Sequence, residues 1–427
     1  MSKKFIVSAL ALVLAAGCSA EKPSASSTAA PDNGPKQLNA FSSPSGGLFQ
    51  PLEPREASEL SDEEQASVDR AIRAYVPTNE TLLRNDAKSF YYYEKLDDEA
   101  KQLYDAMYMV CEDPANEDNI VVCTTGLDPK SQEFMDAWGL ALYAMEYDHA
   151  ELFWMYNEIE TEMYASVPKT QPSTKYNTVY FYLKEPYKNY ETEMAAFNKA
   201  VDEFLKDIDT KKSDDEIAEQ IHDKLIDLVT YDYDVMNNSL RDDLAHTAYG
   251  VLVENSRGDK NYAVCDGYSQ AYVYLLQQCG IDATVILGDA GATKADAGGH
   301  AWSVVNLDDQ WYEVDSTWDD KGNLLEELKA AKDQLDQESY DYYMEALTDQ
   351  DYMDAISHYL YNVTTKEITD YTPAKGKYEY YTKDGKYVIT LVGSGVHIRD
   401  SENKDAGFFN ELMNMAPVAE GVKYARN

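Results

Sequence analysis

Positive charge is scarce in this 427-residue sequence: 37 Lys and Arg stand against 77 Asp and Glu, a formal charge of −40. Binding to a phosphate backbone needs clustered cations, and no basic stripe occurs, so no nucleic-acid partner is expected. An acidic surface of this kind keeps a chain soluble and weakens its approach to anionic polymers. Close ligand pairs of the C-x-x-C or H-x-x-x-H kind are missing, so no metal site and no cofactor are expected. No G-x-x-x-x-G-K-S/T stretch occurs, so Gly288, Gly291, Gly298 and Gly299 do not form a phosphate loop. Internal repeats are absent. The acidic pair Asp319-Asp320 sits in turn-like sequence and is expected to face solvent rather than serve as glycosidase carboxylates.

Hydrophobic residues make up 44% and aromatics 12%, a globular composition, and 35 tyrosines stand out. Tyrosine packs a large ring and keeps a polar tip, which suits cores near a wet surface or a groove for peptide or sugar. The first apolar run, Phe5 to Ala16, follows Lys3 and Lys4 and is too short for an ordinary membrane span. It reads as a signal segment. Residues 19–58 are Ser-, Pro-, Ala- and Gly-rich without a periodic face, the composition of a flexible tether.

The expected organisation is a signal peptide at 1–17, a disordered tether at 18–58, a helical domain at 59–168, a catalytic-type α+β domain at 169–372 and a β-hairpin extension at 373–427. Capping boxes open helices at Ser61 with Glu64 and at Ser213 with Glu216. Apolar residues at 96, 100, 103, 107 and 110 form a helical stripe, as do 217, 221, 225 and 228, with His222 and Asp223 off the second stripe. Asp148-His149 interrupts the second long apolar helix. YNTVYFYL (176–183) reads as a strand, and 190–208 as a helix. A one-faced helix runs from Cys265 through Tyr268, Ala271, Tyr272, Leu275 and Cys279 to a stop at Gly280. ATVILG (283–288), HAWSVVN (300–306) and QWYEVDS (310–316) read as strands, the last two joined at Leu307-Asp308-Asp309. Residues 289–299 are expected to form a Gly/Ala-rich loop able to cover the site. KGKYEYYTKDGKYVITLVG (375–393) reads as a hairpin. These elements make an α+β fold with an antiparallel sheet.

Five cysteines remain to be assigned. Cys18 closes the signal segment. Cys111 and Cys123 flank the short loop EDPANEDNIVV, and a disulfide between them is expected for an exported chain. Cys265 and Cys279 lie near opposite ends of one helix, roughly 21 Å apart, too far for a disulfide. At the helix start, unpaired backbone N–H groups and the positive helix end favour a Cys265 thiolate and offer an oxyanion donor. A short turn brings His300 and Asp315 together across a ladder, so the aspartate can fix the imidazole's tautomer for the thiol. Cys, His and Asp in these places suit acyl transfer through a thioester. The same residues read one at a time are a packing thiol, a core histidine and a turn aspartate.

Three motifs now stand together: Val264-Cys265-Asp266-Gly267-Tyr268, Gly299-His300-Ala301-Trp302 and Val314-Asp315-Ser316-Thr317-Trp318-Asp319. The pattern, over about 213–320, resembles the bacterial transglutaminase-like superfamily of papain-like fold, with Ser316 where that family usually has proline. The resemblance implies an N-terminal nucleophile helix, a catalytic triad of Cys265, His300 and Asp315, and Tyr249 with Cys265 at an oxyanion pocket. Tyr268, Trp302 and Trp318 are expected along the substrate groove. The opening segment to Cys18 resembles a bacterial lipoprotein signal, with Ala15 where a larger aliphatic is commoner, which implies lipidation at Cys18. YYYEKLDDEAKQLYDAM and YDHAELFW resemble the helical region before this core in some Firmicutes lipoproteins. Implied is a membrane-anchored extracellular cysteine enzyme acting on peptide or protein amides, a transglutaminase or a protease. Two alternatives stay open: a non-catalytic envelope protein binding peptide or glycan, and a peptidoglycan peptide hydrolase.

Overall fold

The computed structural model describes residues 89–116, 119–156, 177–183, 186–236, 243–253, 261–291, 297–322, 335–369, 396–402 and 407–425, with short stretches at 55–56, 163–167, 378–381 and 388–391 and a few single positions. The signal segment, the tether as far as 54, the Ser61 capping box and the Lys383–Gly385 turn lie outside the described residues, while Arg55 and Glu56, near the end of the expected disordered tether, are strand.

The N-terminal part is not all helical. Helices α1 (Tyr91–Lys95), α2 (Asp98–Cys111) and α3 (Gln132–Asp148) share it with a four-stranded sheet. In that sheet β1 (Arg55–Glu56), β2 (Ile120–Thr125), β3 (Met163–Val167) and β4 (Asn177–Leu183) run in the order β1-β3-β4-β2. The strands at 120–125 and 163–167 fall in the span expected to be a helical domain. Strand β2 lies against α2, so tertiary contact decided where periodicity was short. Asp97 caps α2 by accepting from the Ala100 N–H at 2.8 Å, and the expected stripe Leu96, Ala100, Leu103, Met107 and Val110 is buried. His149 ends α3 as the sequence suggested.

The expected disulfide is absent. Cys111 and Cys123 are buried free thiols. The Cys111 sulfur lies 3.7 Å from that of Met155, and Cys123 donates to the Gln102 carbonyl at 3.7 Å. The loop between them is closed instead by Asn119, whose side-chain amide donates to the Val110 and Asp113 carbonyls at 2.8 and 2.9 Å. Burial pushes the Cys123 thiol up to about 11 and Cys111 higher still.

Helix α4 (Tyr190–Leu205) leads to α5 (Asp214–Leu228), where the Ser213 N–H and hydroxyl both donate to Glu216. Two short parallel strands, β5 (Val229–Tyr231) and β6 (Asn261–Ala263), bracket α6 (Ala248–Leu252). Helix α7 (Cys265–Gln278) is the centre of the fold. Every residue from Cys265 to Gln277 is buried, so the helix has no solvent face, unlike the one-sided helix expected from its stripe. Gly280 stops it at φ 74°. The Gly280 N–H donates to the Gln277 carbonyl and the Ile281 N–H to that of Leu276, the paired bonds of a Schellman motif.

The main sheet is antiparallel, in the order β10-β9-β8-β7-β13. Its strands are β7 (Ala283–Gly291), β8 (Gly298–Leu307), β9 (Gln310–Val314), β10 (Tyr361–Val363) and, after the separate hairpin β11 (Tyr378–Tyr381) and β12 (Val388–Leu391), β13 (Val396–Arg399). Asp308 and Asp309 both take positive φ, 52° and 62°, between the paired Leu307 and Gln310. That is the two-residue turn whose twist matches the strands. The β7–β8 ladder continues to Ala290 opposite Gly298, so 289–291 and 298–299 are strand rather than the loop expected over 289–299. Helix α7 packs on β7 and β8. Helices α8 (Ser316–Asp319), α9 (Gln337–Ala346), α10 (Gln350–Ile356), α11 (Thr365–Thr369) and α12 (Phe408–Met415) complete the chain. The segment after 373 is therefore more than a hairpin extension, because β13 and α12 build the core. A Cβ on Gly288 would meet the Ile398 carbonyl at 2.1 Å, so only glycine lets β13 sit this close to β7.

Candidate active site

His300 is the third residue of β8, and Asp315 follows β9 as the N-cap of α8. The β8–β9 ladder ends at Ser303 opposite Val314. The two side chains therefore meet diagonally beyond its end rather than directly across it. His300 Nε2 lies 2.8 Å from Asp315 Oδ2, and their side chains are 3% and 1% exposed. Asp315 Oδ1 accepts from the N–H groups of Thr317 and Trp318, both at 3.1 Å.

A fourth donor was not legible in the sequence. His397 on β13 places its Nε2 2.8 Å from the same Asp315 Oδ2. Burial pushes the Asp315 carboxyl up, yet His300 and His397 outweigh burial and hold it well below the usual carboxylate range. Burial lowers His397 despite the Asp315 charge, which keeps it a neutral N–H donor. The available signal was Val396 and Ile398 alternating around His397, a short strand pattern.

Cys265 begins α7, with Val264 as N-cap. It is 8% exposed. The helix crosses β8, where the Ser303 hydroxyl reaches the Ser269 carbonyl at 3.5 Å. The neighbouring Asp266 carboxylate lies 2.7 Å from His246 Nδ1. Buried Glu146 is pushed up to about 8 by burial and by the Asp266 charge. Neither His246 nor Glu146 was singled out from sequence.

The aromatic candidates separate by burial. Tyr268 is fully buried, and its hydroxyl donates to Asp320 at 2.6 Å. Trp302 is 1% exposed, stacks beside His300 and donates to Glu313 at 2.7 Å. Both belong to the core, not to an open groove, because the main sheet is covered on both faces. Trp318 is half-buried and lies against His300 and His397, with ring centres 5.7 and 4.7 Å away. Tyr249 packs its ring on Phe153 and Phe197, at 4.4 and 6.3 Å. Asp319 does not face solvent. It is fully buried, and its Oδ1 accepts from the Leu360 N–H at 2.8 Å.

Beneath the site, Glu313 also pairs with Arg399, which donates to the Pro417 carbonyl at 2.7 Å. Two polar rows thus cross the sheet. One joins Asp315, His300 and His397, and the other joins Glu313, Trp302 and Arg399.

Residues 199–316 match the transglutaminase-like superfamily. The match takes in Cys265, His300 and Asp315 and covers about a quarter of the chain. A solved structure titled "Crystal structure of a TGase" aligns at 14% identity and a TM-score of 0.24, over 38% of this chain and 53% of its own length. No curated protein matches the sequence. Residues 199–316 are thus similar to the transglutaminase-like superfamily, within an α+β architecture around an antiparallel sheet. Among the described residues no helix is long and apolar enough to cross a membrane.

Proposed function

We propose that the chain is a cysteine-dependent acyl-transfer enzyme acting on peptide or protein amides. Asp315 takes His300 by Nε2, and that contact carries the proposal. It leaves the Nδ1 edge of the ring for a thiol, and the helix packed on the same strand starts with Cys265. In this mechanism His300 Nδ1 accepts the Cys265 proton, and the thiolate attacks the amide carbonyl carbon. The oxyanion is stabilised by amides of the first turn of α7. His300 then gives its proton to the departing amine as the C–N bond breaks, leaving a thioester on Cys265. An incoming amine or water attacks the thioester, loses a proton to His300 and frees the thiol. An amine gives a cross-link, and water gives hydrolysis. Asp315 holds the ring and balances the imidazolium charge.

The place of action in this proposal is the outer face of a membrane, with the chain tethered through a lipid on Cys18. Incorporation of labelled fatty acid that disappears in Cys18→Ala is the expected result. Retained label would remove the anchor.

The catalytic proposal is tested by iodoacetamide labelling of Cys265 across pH, read by mass spectrometry, in wild type and His300→Ala. An activated pair labels rapidly at about pH 6 and slows about tenfold or more without the histidine. Labelling that rises only near pH 8.5, where an ordinary thiol ionises, and ignores His300 would overturn it.

A further inference from the structure

We propose that His222, Asp223 and His358 form a binding site for one divalent transition-metal ion of the zinc class. His222 and Asp223 lie on α5, and His358 follows α10. His358 Nε2 lies 2.7 Å and His222 Nδ1 3.1 Å from Asp223 Oδ1. One donor atom from each residue lies within 4.8 Å of the others. Ligand atoms on one tetrahedral zinc, with bonds of about 2.0–2.1 Å, stand roughly 3.3 Å apart. The three groups need only small movements to meet an ion.

The far side of each ring is built for the same task. His358 Nδ1 lies 2.8 Å from the Asp354 carbonyl oxygen. A carbonyl can only accept, so Nδ1 keeps its proton, and an ion that displaces the other proton would meet the lone pair at Nε2. His222 Nε2 faces Asp319 Oδ2 at 3.4 Å. Ligand imidazoles are oriented in this way, with the second nitrogen against a carboxylate or a carbonyl. His222 Nδ1 already has a hydrogen bond with Asp223, but the second ring is poorly served. His358 Nε2 lies 2.7 Å from Asp223 Oδ1 but is not aligned with it as a hydrogen bond. A buried ring nitrogen without an aligned hydrogen bond calls for a partner.

Access is asymmetric. The His222 and Asp319 side chains are fully buried, while that of Asp223 is 48% exposed. An ion would enter from the Asp223 side and keep water on its open positions. The other His–Asp–His group, at His300, Asp315 and His397, has the same donor types. There, both imidazoles already make hydrogen bonds to Asp315 and all three side chains are nearly sealed. The metal is therefore assigned to the His222 group.

The site borders the backbone that carries Asp315. The Asp319 N–H donates to the Asp315 carbonyl at 3.0 Å, and the Asp315 N–H to that of Leu360 at 3.1 Å. An ion here ties α5 to the turn before β10, and the His222–Asp319 contact extends the link to α8, a structural role independent of the acyl-transfer proposal. The rival state is a metal-free salt bridge, two imidazolium rings about one carboxylate.

The test uses the full chain after chelator treatment, titrated with Zn2+ by calorimetry and with Co2+ by its visible absorption. One ion per chain is expected. Asp223→Asn and His358→Gln should each weaken binding by about tenfold or more, while His300→Gln leaves it unchanged. Asp223 is half-exposed, and its amide is isosteric, so that variant keeps the fold, which circular dichroism verifies. No saturable binding, binding indifferent to both variants, or binding lost equally in His300→Gln would overturn the proposal in favour of the salt bridge.

Discussion

Asp315 gathers four N–H donors on two oxygens, from His300, His397, Thr317 and Trp318. A carboxylate so surrounded stays ionised and immobile. His397→Ala removes a hydrogen bond to a charged group and should cost about 1.5–3 kcal/mol of stability, measured as a lower urea midpoint. His397 acts through Asp315, so a positioning role makes a further demand. The pH at which Cys265 labelling rises should shift upward in His397→Ala and return toward wild type in His397→Gln, which keeps a side-chain N–H. A stability loss with an unchanged labelling profile would leave His397 a packing residue. The His300–Asp315 contact was legible because both residues fall in dense local motifs. His397 was not, because the residues that give it meaning lie on other strands.

The elements explain why β13 can bring His397 into place. Gly288 faces His300 on one side and Arg399 on the other, and its missing Cβ admits the Ile398 carbonyl. Gly288→Val should push β13 from β7, cost about 1–3 kcal/mol as overpacking does, and break the His397–Asp315 contact. Loss of the His397 ring signal's coupling to Asp315 in NMR titration, together with a lower melting temperature, is the expected pattern. The β8–β9 turn gives the opposite sign. Asp309 sits at φ 62°, where glycine carries no Cβ strain. Asp309→Gly should stabilise the chain by about 0.5–1 kcal/mol, seen as a higher urea midpoint. Helices and strands with local punctuation, such as the Ser213 cap, the Gly280 stop and the Asp308-Asp309 turn, could be read in advance. The strands β2, β3 and β13 could not, since short apolar runs take their conformation from the partners they meet.

Across the whole molecule, several buried groups prefer their protons. Burial, aided by the Asp266 charge, raises Glu146 to about 8. Burial also raises Asp148 to about 6 and, with the Asp289 charge, Asp400 to about 6. Burial opposes protonation of His358, but Asp223 and the Asp354 carbonyl raise it to about 9. All four have folded values above their unfolded ones. Their contribution is fully present below the unfolded values and is lost as pH rises through about 6 to 9. The melting temperature should fall between pH 5 and about 9, and Glu146→Gln should remove part of that slope. A slope unchanged in Glu146→Gln and abolished by salt would assign it to repulsion among the surface charges instead. The sequence by itself determined the acidic character, the patterned helices, the β8–β9 hairpin and the three catalytic-type motifs, because each is encoded within a few neighbouring residues. Only the tertiary structure decided that Tyr268 and Trp302 are core, that Cys111 and Cys123 stay apart, and that two histidines converge on Asp223 and two on Asp315. Those outcomes depend on segments distant in sequence packing against one another, and local pattern carries no record of which partner a buried side chain will meet.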